Sequence, residues 1–201
     1  METFTYSHFP SASSIVHIAF FTHVSNAKAL RARIINAASL TGKQGDDERE
    51  RVNFAFVDAR PVASLLHLQT AICQAILSET QDVLRTKTVH SEILWALNPS
   101  HNITEAIRRY GVSDTTTSLL VVRVTSPDLT DVEARMKAVV DGQLEDLSAL
   151  ASTTDWATVK KYYKLAGEDA LKEADGDDVR ERLVIDSIAV STVAMKSVMN
   201  T

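Results

Sequence analysis

The polar cluster that comes nearest to a catalytic relay is the run His90-Ser91-Glu92. Consecutive residues of a helix point about 100° apart, so these side chains cannot align as base, nucleophile and orienting acid. The histidines show no spacing typical of a metal site, and the glycines form no phosphate-binding loop. The sequence therefore predicts a protein that is not an enzyme. A small hydrolase that uses His90 and Glu92 is the alternative.

Basic residues lie on both sides of the break Asn98-Pro99-Ser100. A few cations close to an aromatic ring can hold a single-stranded RNA end through phosphate contacts and base stacking. The simpler interpretation of an arginine pair at a helix end is a favourable interaction with the helix dipole. The candidate RNA-binding residues are Arg85, Lys87, His90, Arg108 and Arg109.

The last predicted helix, over residues 179–199, is apolar on most of its sides. Between Val184 and Thr201 only Asp186 and Lys196 carry a charge. A helix of this kind must be covered on more than one side, and a partner protein is a natural cover for one of them. A central helix enclosed by the chain itself, or a strand, is the alternative. The predicted seam comprises Ile185, Ile188, Thr192, Met195 and Met199.

The elements that position these residues follow from the spacing of apolar side chains. Strands are predicted at 15–21, 52–57 and 118–124, and helices fill most of the remaining chain. The order β-α-β-α-α-α-β favours an α+β fold with α/β layers, in which helices cover one face of a small mixed sheet of about three to five strands. The C-terminal region is predicted to be helical. We expect one globular domain over residues 1–201, with a charged loop at 42–50 and an acidic connector at 168–181.

Composition limits the function further. The chain has 201 residues, a net charge of -5 and one cysteine, Cys73, so neither a disulfide framework nor a cysteine metal cluster is expected. An acidic chain has no overall attraction for nucleic acid, and any RNA contact requires a local basic patch. No apolar run reaches the roughly 18 residues of a membrane span, and no secretory signal is recognisable. We therefore expect no membrane association, and a nuclear and cytoplasmic location.

One stretch, residues 85–111, carries an ordered signature: a Lys/Arg-Thr element, Glu-Ile, Leu-x-Pro, Asn-Ile, an alanine and a basic-aromatic-Gly ending. It resembles the family of small kinase-binding subunits of the KEOPS (EKC) complex, called TPRKB in animals. The segment Val159–Leu165, VKKYYKL, is similar to its counterpart there, and the charged insertion at 42–50 departs from the family. The signature consists of Arg85, Thr86, Lys87, Thr88, Glu92, Ile93, Leu97, Pro99, Asn102, Ile103, Ala106, Arg109, Tyr110 and Gly111.

The resemblance implies a non-catalytic subunit without cofactor, metal or small-molecule substrate. Members of this family bind the atypical kinase/ATPase of the complex (PRPK in animals), largely through their C-terminal helical region. The complex makes the threonylcarbamoyl-adenosine modification of tRNA, and archaeal relatives hold the single-stranded CCA end of tRNA. The basic candidates would then contact tRNA, and the C-terminal seam would contact the kinase. An interaction module that does not bind tRNA is a further alternative.

Overall fold

A five-stranded antiparallel sheet organises the chain in the computed structural model, which describes residues 1–174 and 176–198. The strand order is β1-β2-β4-β3, and β5 pairs with β2 beyond the end of β1. The three strands predicted from the sequence correspond to β2, β3 and β4. The strands are β1 (Glu2–Thr5), β2 (Ile15–Thr22), β3 (Ala55–Asp58), β4 (Leu119–Thr125) and β5 (Gln143–Glu145).

Ten helices accompany the sheet in the described part of the chain, which confirms the predicted α+β class. Two short 3-10 turns, Ser11–Ser13 and Leu147–Ala149, complete the regular structure. The helices are α1 (Ala27–Ser39), α2 (Gly42–Arg51), α3 (Leu65–Thr80), α4 (Val89–Leu97), α5 (Ile103–Tyr110), α6 (Val132–Lys137), α7 (Leu150–Thr153), α8 (Trp156–Tyr162), α9 (Asp169–Lys172) and α10 (Asp178–Met195).

The expectation of a mixed sheet is wrong, because every described strand pair is antiparallel. The helices α3 to α5 leave the sheet after Asp58 and return to it at Leu119, and these two residues are partners in the β3–β4 ladder. A connection that starts and ends at the same end of a sheet reverses the strand direction. The order of strands and helices along the sequence does not show whether neighbouring strands run parallel or antiparallel.

Helices cover both faces of the sheet, not one face as the sequence predicted. Side chains of a strand alternate between the faces, and every residue of β4 is buried. Leu120 and Val122 pack with α3 and α4 in one cluster, whereas Leu119 and Val121 pack with α1 and α6 in another. A strand that is covered on both faces has an unbroken apolar run, as SLLVV has here.

The predicted charged loop at 42–50 is wrong, because these residues form the helix α2. Charged pairs one turn apart support the helix from within: Arg49 pairs with Asp46 at 2.6 Å. The Arg49 guanidinium also donates to the carbonyl oxygens of Ala37 (3.2 Å) and Leu40 (2.7 Å), at the end of α1. Ion pairs and backbone caps stabilise α2 instead of an apolar stripe, so hydrophobic periodicity could not reveal it.

The acidic connector predicted at 168–181 is partly helical, since it contains α9 and the first turn of α10. Asp177 is the N-cap of α10, and its side chain accepts hydrogen bonds from the backbone N–H groups of Val179 and Arg180. Acidic residues favour a helix start through the dipole, which explains why an acidic run does not exclude a helix.

Gly111 ends α5, but it does not have the left-handed backbone conformation that is common for a glycine after a helix. Its φ of -75° is ordinary for any residue, so backbone freedom is not the reason for glycine here. A Cβ atom at this position would lie 2.5 Å from the carbonyl oxygen of Ile107. The residue is therefore explained by close backbone approach.

Among the helices of the described residues, none is long and apolar enough to cross a membrane.

Candidate interaction site

The helix α10 lies against α3, α8 and α9 and buries one edge. That edge consists of Ile185, Ala189, Val193 and Lys196, at successive spacings of four, four and three residues. The Gln74 amide on α3 donates to the carbonyl oxygen of Ala194 at 3.0 Å and fixes the far end of the helix. The helix is therefore held by both apolar packing and hydrogen bonds.

Only part of the predicted kinase-binding seam is exposed on the protein surface. Ile185 is 1% exposed and packs in a small cluster with Val159 and Tyr163. The prediction that Ile185 contacts the kinase is therefore wrong. Ile188 packs on the same cluster, and Thr192 uses its hydroxyl to donate to the carbonyl oxygen of Ile188. Met195 is 50% exposed and accessible to a partner. The remaining member, Met199, lies outside the described residues.

The face of α10 that is accessible is rotated from the predicted seam. Its exposed members follow one another at intervals of four residues, which is the spacing of a helix ridge. Val179, Leu183 and Met195 are 69%, 66% and 50% exposed, and two exposed serines lie between the last two. None of these side chains is charged. We call this surface the outer ridge: Val179, Leu183, Ser187, Ser191 and Met195.

Lys196 lies directly after the outer ridge and points into the protein. Its ammonium group donates to the carbonyl oxygens of Trp95, Asn98 and Ser100, and lies 3.8 Å from the centre of the Trp95 ring. Desolvation lowers the pKa of Lys196 to about 7. This residue ties the end of α10 to the break between α4 and α5.

A second buried contact ties α8 to the helices beneath it. The Tyr163 hydroxyl donates to the Leu97 carbonyl oxygen at 2.8 Å and lies 2.7 Å from Nε2 of His67. The Nδ1 atom of His67 accepts from the Ala63 N–H, so the hydroxyl accepts the proton on Nε2. Burial lowers the pKa of His67 to about 3, which keeps the ring neutral in this network.

His90 is buried, so its prediction as an RNA contact is wrong. Its Nε2 atom accepts a hydrogen bond from the Val124 N–H at 3.0 Å, which joins α4 to the sheet. Burial, with a smaller contribution from the Arg123 charge, lowers the pKa of His90 to about 3. The face of α4 that carries His90 had to pack on the sheet because Val89 and Ile93 lie on it too.

Glu92, the other residue of the hydrolase alternative, fixes a loop. Its carboxylate accepts hydrogen bonds from the backbone N–H groups of Arg85 and Thr86 and from the Thr86 hydroxyl. With His90 bonded to Val124 and Glu92 bonded to the loop, neither side chain is arranged as a general base. Within residues 1–174 and 176–198, no group of three or more His, Cys, Asp or Glu could hold a metal ion.

Three of the five predicted RNA-binding residues are exposed: Arg85, Lys87 and Arg108. Arg109 serves the fold instead, since it pairs with Glu105 at 2.8 Å and its guanidinium lies 4.6 Å from the Tyr162 ring centre. The structure therefore separates the basic candidates into exposed and structural members.

Arg85 borders a cavity of about 390 Å³ between α3, α4 and the end of α10. Lys87 lies two residues further along the same loop, whereas Arg108 lies on α5 and does not line this cavity. Trp95 and Lys196, which also line this cavity, were not among the residues predicted from the sequence. The signal available for Lys196 was that it is one of only two charged residues between Val184 and Thr201. The lining residues are Gln74, Leu77, Ser78, Gln81, Val83, Arg85, Glu92, Trp95, Ala96, Lys196 and Ser197.

A small α+β protein that presents an uncharged helix ridge and uses its buried polar groups for packing has the features of an interaction subunit. Comparison with known proteins agrees. The family model described as "Kinase binding protein CGI-121" matches residues 21–197, and the chain belongs to this family.

Fungal relatives cover almost the whole chain. The "EKC/KEOPS complex subunit CGI121" of Cryptococcus neoformans is 38% identical over 228 positions, which span 96% of this chain and 100% of the relative. The subunit of the same name from Gibberella zeae is 32% identical and covers 98% of this chain and 99% of its own. The Neurospora crassa relative is 31% identical and covers 98% of both.

Proposed function

We propose that this chain is a non-catalytic KEOPS subunit that docks the atypical kinase/ATPase of the complex through the outer ridge of α10. The family description and the names of the relatives support a kinase partner. The observation that carries the assignment to α10 is the exposure of Val179, Leu183 and Met195 on one uncharged ridge.

The ridge suits a protein partner because it is already rigid. Lys196 and Gln74 fix the end of α10, so docking costs little ordering of the helix. Covering an apolar side chain of this size contributes roughly 1.5–3 kcal/mol when burial is complete. Ser187 and Ser191, at the centre of the ridge, are small enough for a partner helix to approach closely.

The test is a pair of ridge variants, Leu183→Asp and Met195→Asp, measured by calorimetric titration against the kinase subunit from the same source. A buried charge in an interface centre weakens binding by about 30-fold or more. Ile35→Asp is the matched control, since Ile35 is 58% exposed on α1, on the other side of the sheet. Wild-type affinity in both ridge variants would show that α10 is not part of the interface. If binding is weaker, a melting temperature equal to that of the control variant excludes unfolding as the cause.

We further propose that the subunit helps to recruit tRNA, through its single-stranded CCA end, for threonylcarbamoyl-adenosine modification. Support comes from Arg85 and Lys87, which are exposed on one loop whose backbone Glu92 fixes. Cations on a fixed loop can bind successive phosphates without a loss of loop entropy.

The double variant Arg85→Glu with Lys87→Glu should weaken tRNA binding and reduce the salt dependence of log K by about 0.7 for each phosphate that the variant no longer neutralises. Lys28→Glu with Lys43→Glu, at exposed positions of α1 and α2, is the control that changes the net charge by the same amount. If the salt dependence of tRNA binding is unchanged in the double variant, Arg85 and Lys87 belong to a solvated loop that does not contact tRNA. Kinase docking without any tRNA affinity would favour the interaction-module alternative.

The expected site of action is the nucleus and cytoplasm, where tRNA is made and used. Fractionation of cells that express a tagged chain tests this location directly. Recovery in a membrane or mitochondrial fraction would contradict it.

A further inference from the structure

A cleft of about 240 Å³ lies between α1, α2 and α6, on the side of the sheet opposite to α3 and α4. Its wall carries three guanidinium groups, and its floor includes the small apolar side chains that follow α6. We call it the arginine cleft. Its lining consists of Arg33, Glu50, Arg51, Arg135, Ala138 and Val139.

The ion pairs around the cleft contain more positive than negative charge. Glu48 pairs with Arg33 at 2.5 Å and with Arg51 at 3.6 Å. Glu50 pairs with Arg123 at 2.8 Å and with Arg135 at 3.7 Å. Four guanidinium groups thus share two carboxylates, which leaves a formal excess of two positive charges.

One arginine of each set is sufficient to hold α2 in place. Arg33 binds both oxygens of Glu48 from α1, and the buried Arg123 joins Glu50 and the Asn53 carbonyl oxygen to β4. The second members, Arg51 and Arg135, stand beyond hydrogen-bond distance of their glutamates and are 69% and 48% exposed. Their guanidinium groups can therefore turn toward a ligand while Arg33 and Arg123 keep α2 fixed.

We propose that the arginine cleft binds a phosphate monoester, carried on a phosphorylated serine or threonine side chain of a partner protein. A monoester has a charge of about -1.5 to -2 at neutral pH, which matches the excess of two, whereas each nucleic-acid diester carries a single charge. Paired guanidinium groups suit the geometry of phosphate oxygens.

The size and lining of the cleft also favour a single phosphate over an RNA strand. A cleft of about 240 Å³ accommodates a phosphate group and the end of one side chain. The lining contains no aromatic side chain among the described residues, so it offers no platform on which a base could stack.

The test is calorimetric titration of the full chain with four probes: a short phosphoserine peptide, the same peptide without phosphate, inorganic phosphate, and a single-stranded oligoribonucleotide that lacks a terminal phosphate. We expect the phosphopeptide to bind at least about tenfold more tightly than each of the others. Equal binding of the two peptides, or no binding of either, would overturn the proposal. Tighter binding of inorganic phosphate would overturn it in favour of the free ion, and tighter binding of the oligoribonucleotide in favour of RNA.

Two variants locate the binding. Arg135→Gln and Arg51→Gln should each weaken phosphopeptide binding by about tenfold, with an unchanged melting temperature, because neither residue fixes α2. Lys137→Gln is the matched control on the same helix as Arg135, since Lys137 pairs with Glu133 at 2.5 Å and does not line the cleft. Phosphopeptide affinity that survives in the Arg51→Gln and Arg135→Gln double variant would place the binding elsewhere and refute the proposal.

Discussion

On the α1, α2 and α6 side of the sheet, apolar residues pack against the strands, and the ion pairs lie outside this layer except for that of the buried Arg123 with Glu50. On the α3, α4 and α10 side, the distribution is partly inverted. His67, Tyr163 and Lys196 are buried there, whereas Leu183 and Met195 are exposed. Buried polar groups are costly unless every hydrogen bond is made, and exposed apolar ridges are costly unless a partner covers them.

The difference indicates how each side of the sheet presents a specific surface to a partner or ligand. The buried polar groups on the α10 side fix one arrangement of α3, α4, α8 and α10, so the outer ridge is presented in a defined position. On the α2 side, Arg33 and the buried Arg123 hold α2, whereas the exposed Arg51 and Arg135 contribute little to stability and leave charge available for a ligand. Four predictions test this contrast, beginning with the largest effect.

Acid should destabilise the protein through the α3 and α4 side. Burial lowers the pKa of both His67 and His90 to about 3, below the ~6.5 of an unfolded chain. Between these values the unfolded state binds more protons, so stability is complete above pH ~6.5 and is lost as the pH falls toward 3. From pH 7 to pH 5 each histidine should cost about 2 kcal/mol of unfolding free energy.

Urea denaturation at both pH values measures this loss. His90→Gln should remove about half of the pH dependence, whereas His8→Gln, at an exposed position, should leave it unchanged. A flat stability profile between pH 7 and 5 would show that the two rings are not held neutral in the interior.

Two residues of α10 should separate stability from binding. Ile185→Ala removes a buried side chain and should lower the unfolding free energy by about 3 kcal/mol. Leu183→Ala, two residues earlier and 66% exposed, should change it by less than about 0.5 kcal/mol while weakening kinase binding. Urea denaturation and calorimetric titration measure the two quantities, and a large stability loss in Leu183→Ala would show that the outer ridge is part of the core.

Neighbouring tyrosines give a finer test of the buried network. Tyr163→Phe leaves both His67 and the Leu97 carbonyl oxygen without the hydroxyl and should cost about 2 kcal/mol. Tyr162→Phe keeps the ring that faces Arg109 and should be nearly neutral. Chemical denaturation of the two variants side by side compares them, and equal stability would mean that the network adds nothing.

The smallest effect is expected on the opposite side. Arg31 pairs with Asp114 at 3.2 Å, and both side chains are about half exposed, at 52% and 49%. Arg31→Gln should therefore lower the unfolding free energy by about 0.5 kcal/mol or less, and high salt should abolish the difference in a denaturation experiment. A cost above that of Tyr163→Phe would reverse the contrast between the two sides.

The sequence by itself determined the parts of the protein that depend on local pattern. The apolar runs that contain Phe20, Val57 and Val122 predicted the strands β2, β3 and β4, because short runs of β-branched and aromatic residues favour strands. The ordered signature between Arg85 and Gly111 identified the kinase-binding family, which the comparisons confirm.

Tertiary structure decided which side chains reach the surface. The α10 seam was predicted from spacing, but a helix that is apolar all round gives no sign of which edge is buried; packing on α3 and α8 buried Ile185 and exposed Leu183. For the same reason His90 faces the sheet and Arg109 packs on Tyr162. Charge pairs such as Arg33 with Glu48 join residues that have no apolar pattern, so α2 and the arginine cleft depend on interactions that form only after the chain has folded.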